Sequence, residues 1–255
     1  MSEMDAQILD KSGKKVSTIS VPDVFNEAFR PDVIKKAVLA AQANRFQPYG
    51  PDRTAGGLSS AHSWGSGRGA AHVPRMINGS RVMRVPQAKG GRSAHAPNPN
   101  KIFSEKINDK ERILAIRSAA AATMNKELVK KRGYKYEGEL PLVVSDEIES
   151  MEKTSEVIAL LSAIGLDADL ERGKMKQVRG GKGKMRGRQY RKKIGVLIVV
   201  GEDKGVGLSA RNIPGVDIVT LDQVNAELLA PGTHAGRLTV WSESALKLMS
   251  GEVEQ

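Results

Sequence analysis

Apolar positions along the chain come in short blocks of two kinds. Residues 6–9 and 15–20 read as strands, joined by a turn at 11–14 that contains Gly13. Pro31 suits a first helical turn. Val33, Ile34, Ala37, Val38 and Ala41 then recur on one helical face, which predicts a helix ending near Asn44. Asp109 is placed to cap a second helix with Ile113, Ile116, Ala120 and Met124 on its buried face. Lys130, Lys131, Arg132 and Gly133 mark its C-terminal end, or that of a continuation.

After Pro141 strands and helices alternate. Residues 142–145 form a short apolar strand, and Val157, Ile158, Leu161 and Ile164 form a helical stripe that stops at Gly165. Residues 194–200 are almost continuously apolar, as in a parallel strand covered on both faces. Residues 216–220 give another strand, and Asp222 is placed to cap a helix with Val224 and Leu228 inward. A last strand at 238–241 leads into a helix capped by Ser242, with Trp241 and Leu246 positioned as a hydrophobic staple. This alternation predicts an α/β fold with a doubly wound, mostly parallel sheet.

Between residues 45 and 101 no helical or strand period is sustained. That stretch holds nine Gly and six Pro, and Pro48, Pro51, Pro74, Pro86, Pro97 and Pro99 deny it long helices. It is far longer than the roughly 15-residue ceiling for an idle loop in a compact domain. Trp64, Tyr49 and Phe46 are also more than a spacer needs. The predicted organisation is a globular body at 1–44 and 102–255, an extended loop at 45–101 with its tip at about 60–78, and a Gly-rich insertion at 172–193.

Charge gives these segments a meaning. The 255 residues carry a formal +11, which asks for a polyanionic partner. Segment 45–101 holds Arg45, Arg53, Arg68, Arg75, Arg81, Arg84, Lys89, Arg92 and Lys101 against the single acid Asp52, a net +8. Segment 172–193 holds eleven cations and no acid. Its candidate RNA contacts are Lys174, Lys176, Arg179, Lys182, Lys184, Arg186, Arg188 and Arg191. The other 176 residues sum to −8, so an acidic body carries two basic excursions, both read as loops. So dense a cation run repels itself until a phosphate backbone relieves it, and its glycines allow close approach.

With 40% hydrophobic residues the chain can bury a core. The absence of Cys excludes disulfides and Cys-ligated metal sites. No basic segment followed by an apolar one opens the sequence, and no apolar run approaches a bilayer span, so a soluble cytoplasmic chain is expected.

Enzyme-like patterns fail on inspection. Gly205-Val-Gly207-Leu-Ser-Ala210 matches a dinucleotide fingerprint and follows an apolar strand. However, Glu202 and Asp203 would face the pyrophosphate, and Pro214 and Gly215 leave no room for a crossover helix. Gly65-Ser-Gly67-Arg-Gly69-Ala70 has no strand before it and no helix after it. His62, His72 and His95 lack metal-pair spacing. Asp146, Glu147 and Glu149 read as a solvated helix start. No catalytic residue, metal or cofactor is expected.

Loops rich in Gly and Arg suit irregular RNA better than a duplex groove, because guanidinium planes and Trp64 can stack on unpaired bases. If about ten loop cations touch phosphates, log K falls with log salt at a slope on the order of −7 to −9. Folded back on itself, the first loop could reach at most about 90 Å.

Several long motifs then stand out: Arg45-Phe-Gln-Pro-Tyr-Gly-Pro51, Ser63-Trp-Gly-Ser-Gly-Arg-Gly69 and His72-Val-Pro-Arg75. Pro86-Gln-Ala88, Gly91-Arg-Ser-Ala-His95 and Ala210-Arg-Asn-Ile-Pro-Gly-Val-Asp217 join them. With these the chain resembles, over nearly its whole length, the L-four family of large-subunit ribosomal proteins in its archaeal and eukaryotic branch. The resemblance implies a surface α/β body and a long loop entering ribosomal RNA. That loop would help form the constriction of the nascent-peptide exit tunnel beside a neighbouring ribosomal protein. Carried onto this chain, the tip falls at 64–75, with Arg68 and Arg75 facing the tunnel and the flanking cations on RNA. The implied role is structural and early in subunit assembly. Two other readings stay open: a nucleotide-using α/β enzyme with basic insertions, and a non-ribosomal RNA binder or chaperone.

Overall fold

The computed structural model describes residues 5–251, so the outermost ends of the predicted body, 1–4 and 252–255, lie outside the described residues. The chain divides into two units, residues 5–42 with 106–251 and Ala43–Glu105. The first half of the body comprises β1 (Asp5–Leu9), β2 (Lys15–Ser20), α1 (Pro31–Ala43), α2 (Asp109–Met124), α3 (Lys126–Arg132) and β3 (Leu142–Val144). Then come α4 (Thr154–Ala163), α5 (Asp167–Lys174) and a small hairpin, β4 (Gln177–Val178) with β5 (Tyr190–Arg191). The chain closes with β6 (Leu197–Val200), α6 (Val206–Ala210), β7 (Asp217–Thr220), α7 (Ala226–Leu229), β8 (Thr239–Ser242) and α8 (Glu243–Gly251).

Six strands form one sheet in the order β2-β1-β3-β8-β6-β7, and only the β1–β2 pair is antiparallel. The period of two within each apolar run divides its side chains between two cores. Leu142, Val144, Val196, Ile198, Val200 and Val240 face one core, where Val157, Leu160 and Leu161 of α4 and Val206 of α6 meet them. Ile8, Val143, Leu197, Val199 and Trp241 face the other, covered by α1, α2, α7 and α8. Helices on both faces explain why β3 and β6 are wholly buried, each large aliphatic side chain contributing about 1.5–3 kcal/mol. Phe25 meets Trp241 edge to face at 5.4 Å, and Arg237, 1% exposed, donates to the Gly195 and Leu228 carbonyls and pairs with Asp217. No helix among the described residues is long and apolar enough to cross a membrane.

Several local expectations need correction. Asp109 lies inside α2 and bridges Arg112 at 3.1 Å, while Asn108 precedes the helix. The buried face of α2 is Ala115, Ser118, Ala119, Ala120, Ala122 and Thr123, and Ile113 is exposed. Small residues let the chain between the 3₁₀ turn Asp23–Asn26 and α1 approach closely: Ser118 Oγ accepts the Arg30 N–H and donates to the Ala28 carbonyl. Asp222 sits in a 3₁₀ turn, and Asn225 caps α7 by accepting the Leu228 N–H. Ser242 does cap α8, accepting the Ala245 N–H at 3.2 Å. Residues 172–174 belong to α5, a helix the sequence pattern does not predict, and the rest of the second basic segment includes a hairpin rather than only loop.

Candidate nucleic-acid interface

Between residues 44 and 105 the described chain has neither helix nor strand ladder. Isolated bridges and turns hold it. The His62 and Arg75 N–H groups each donate to the other's carbonyl, at 3.1 and 2.9 Å, and Met83 N–H donates to Pro74. Arg75 lays its guanidinium over the Trp64 ring at 5.3 Å and donates to the Ser80 carbonyl. Trp64 and Arg75 are therefore already a stacked, half-buried pair. Gly91 is required where the chain returns: a Cβ there would run into the Val85 carbonyl. At the base Phe103 stacks on Tyr49 at 5.9 Å and meets Phe46 edge-on at 6.2 Å.

Most cations of this unit are displayed rather than neutralised. Arg53, Arg68, Arg81, Arg84, Lys89 and Arg92 are exposed, and none of these six forms an ion pair among the described residues. Arg45 is exposed as well. The one acid, Asp52, is engaged locally: the Thr54 N–H and then its hydroxyl hold the carboxyl below the ordinary range.

The second basic segment is ordered by its backbone. Gln177 pairs with Arg191 and Val178 with Tyr190, and Arg179 N–H donates to Gln189. A 3₁₀ turn, Lys182–Arg186, tops the hairpin, and Gly187 takes the left-handed conformation that closes it at φ 77°. Arg179 Nε donates to the Arg188 carbonyl, so that guanidinium helps shape the turn. Lys176 lies over the Tyr190 ring at 5.5 Å. Lys174, Lys182, Lys184, Arg186, Arg188 and Arg191 are exposed. A cleft of about 630 Å³ opens at the hairpin root, where Lys174, Lys176, Tyr190 and Arg191 meet Arg211. Arg211 and Tyr190 are additions to the sequence-derived set. Arg211 lies within the long motif ending at Asp217, a signal that does not by itself say which of its residues faces the hairpin.

The carboxyl edge of the sheet is the other place to look for a site, since ligands of doubly wound sheets bind where strand order reverses. Here the chain leaves β6 for α6 on one face and β8 for α8 on the other. The crevice is closed by Glu149, 2% exposed, which corrects its reading as a solvated residue. Its Oε1 accepts the Gly201 N–H, the Glu202 N–H and the Ser242 and Ser244 hydroxyls, and Oε2 faces Lys204 Nζ at 3.5 Å. Burial alone would raise its pKa, and those hydrogen bonds outweigh it and hold the carboxyl below the usual glutamate value. In the Gly205-Val-Gly207 turn the Asp203 carboxylate accepts the Gly205 and Gly207 N–H groups at 3.0 and 2.9 Å, where a pyrophosphate would need them. The helix that follows has five residues. His62, His72 and His95 join no three-ligand metal cluster among the described residues.

Residues 19–252 match the model of the "Ribosomal protein L4/L1 family". Three archaeal proteins, each named "Large ribosomal subunit protein uL4", are similar over 247 residues that cover 96% of this chain and 98% of theirs. Identity is 58% with that of Methanothrix thermoacetophila, 57% with that of Methanococcoides burtonii and 53% with that of Archaeoglobus fulgidus.

Proposed function

The chain belongs to the ribosomal protein L4/L1 family, and from that premise we propose that it is a structural constituent of the cytoplasmic large ribosomal subunit. It is not an enzyme. Segment 45–101 and segment 172–193, with its hairpin, bind large-subunit rRNA, and the body stays folded. The protein bridges RNA segments early in assembly, while residues 64–75 line the exit tunnel near its constriction beside a neighbouring ribosomal protein. Arg68, exposed, meets the nascent chain or tip RNA; Arg75 acts through its stack on Trp64.

One observation carries the RNA reading. Arg53, Arg68, Arg81, Arg84, Lys89 and Arg92 of one segment, and Lys174, Lys182, Lys184, Arg186, Arg188 and Arg191 of the other, are exposed and form no ion pair among the described residues, although acids are plentiful in the rest of the chain. A protein selected for stability alone would not concentrate like charge in this way; a phosphate backbone compensates it. The test is sedimentation of the native protein from cell extract through a high-salt sucrose gradient. Stoichiometric co-migration with large subunits is expected. Release to the top of the gradient would favour a non-ribosomal RNA-binding protein or RNA chaperone instead.

A further inference from the structure

A cleft of about 770 Å³ lies outside both basic segments for most of its lining, yet it is itself cationic. Lys131 and Arg132 come from the last turn of α3, Arg172 from α5, and Lys192 and Lys193 from the chain leaving β5. No acidic residue lines it. Of these five, only Arg172 has a carboxylate partner among the described residues, Asp169 at 2.8 Å. The helix terminus accounts for Lys131 and Arg132 being on α3. It does not account for three further cations arriving from two other elements.

Arg132 is the telling side chain. It donates to the carbonyls of Pro231 and His234, which orient the guanidinium without neutralising it, and burial lowers its pKa. A half-buried charge without a counter-ion is costly, and a phosphate would supply one in the geometry the guanidinium fork favours. Beside it the lining turns apolar. Phe29 is 45% exposed there, next to Pro31 and Leu128. Lys192, Lys193 and Ile194 line both this cleft and the one at the hairpin root, so a strand gripped by the hairpin is led into it.

We infer that this cleft is a third RNA contact, holding a backbone phosphate among Lys131, Arg132 and Lys193 and an unstacked base against Phe29. The inference rests on the RNA-binding reading above. RNA fits better than an acidic peptide, because the cleft joins a cation-rich hairpin to an exposed aromatic ring on which a base can stack.

The test uses the full chain and a large-subunit rRNA carrying 4-thiouridine, with affinity measured across salt concentrations and cross-links mapped by mass spectrometry. Lys131→Gln with Lys193→Gln should flatten the slope of log K against log salt by about 0.7–0.9, one phosphate contact's worth. Phe29→Ala should weaken binding about 5- to 150-fold, the range for loss of one stacked base. Cross-links should reach residues beside Phe29. Lys182→Gln with Lys184→Gln on the hairpin serves as the comparison. If that pair flattens the slope while both cleft variants bind like the parent, the cleft proposal falls and the RNA reading stands. If the parent chain shows no salt-dependent affinity for the rRNA, both fall. A cross-link from the cleft to an acidic protein segment in reconstituted particles, in place of RNA, also overturns it.

Discussion

Replacing Glu149 by Ala tests whether the closed crevice holds the body together. The change strips an acceptor from two backbone N–H groups and two serine hydroxyls at once. Ser242 and Ser244 lie 2.9 Å apart and can satisfy each other, and Glu202 is exposed enough to reach water. The Gly201 N–H keeps only the Ser242 hydroxyl at 3.2 Å, a partner then shared with Ser244 and the α8 cap. An under-satisfied buried donor costs about 1–3 kcal/mol, and losing charge-assisted bonds to the hydroxyls adds to it. Lys204 adds little, because it is 57% exposed. The expected total is about 2–4 kcal/mol, and thermal melting of the full chain followed by circular dichroism should fall by roughly 4–16 °C. Glu149→Gln keeps an oxygen in place and should cost about 1–2 kcal/mol. Because the folded pKa lies below the unfolded value, the carboxylate's contribution is complete above about pH 5 and fades as pH falls through the folded pKa. The gap between parent and Gln variant should therefore narrow on acidification. A loss under about 1 kcal/mol for the Ala variant, or a gap indifferent to pH, would refute the reasoning.

Deleting residues 60–78 should leave the body's cooperative melt intact, since every strand of the large sheet lies within 5–20 or 142–242; loss of cooperativity would contradict this. Trp241→Phe should cost only about 0.5–1.5 kcal/mol, a small cavity partly offset because the buried indole Nε1 has no acceptor among the described residues. Trp241→Ala should cost about 3–5 kcal/mol by urea titration. Changing Lys182, Lys184 and Arg186 together to Ala should leave the far-ultraviolet spectrum unchanged and flatten the salt slope of rRNA binding by about 2.7.

What could be read from the sequence was what local pattern determines. Two-sided burial needs an unbroken apolar strand, so β6 was visible at once, and the glycine after α3 announced its end. The misses share a non-local cause. Strands β6 and β8 bring Gly201, Ser242 and Ser244 to Glu149 from about fifty and ninety residues away, and nothing beside Glu149 foretells burial. Asp222 and Asn225 are equally good caps in isolation; packing of α7 chose the second. In α5 the apolar contribution is little more than Leu170 among charges, so the helix was absorbed into the cation run. At the candidate interface composition identified the cationic segments. It could not reveal that Arg75 lies on Trp64, or that Lys192 and Lys193 border two clefts.

The acids at the carboxyl edge of the sheet bear on what this protein ignores. A chain so rich in cations lives among free nucleotides and other small phosphates that compete with any polymer for its charge. The backbone cradle that a doubly wound sheet offers a phosphate after β6 is occupied by the Asp203 carboxylate, with Glu149 filling the crevice between β6 and β8. A monomeric phosphate arriving there meets like charge and finds the backbone donors engaged. Most cations of the 45–101 segment and of the hairpin, in contrast, are spread over exposed chain where a single small anion engages few at once. On the RNA-binding reading proposed above, preference for a long polyanion over its monomers would arise from valency: the backbone cradle at the sheet edge is shut, and a polymer collects the dispersed contacts together.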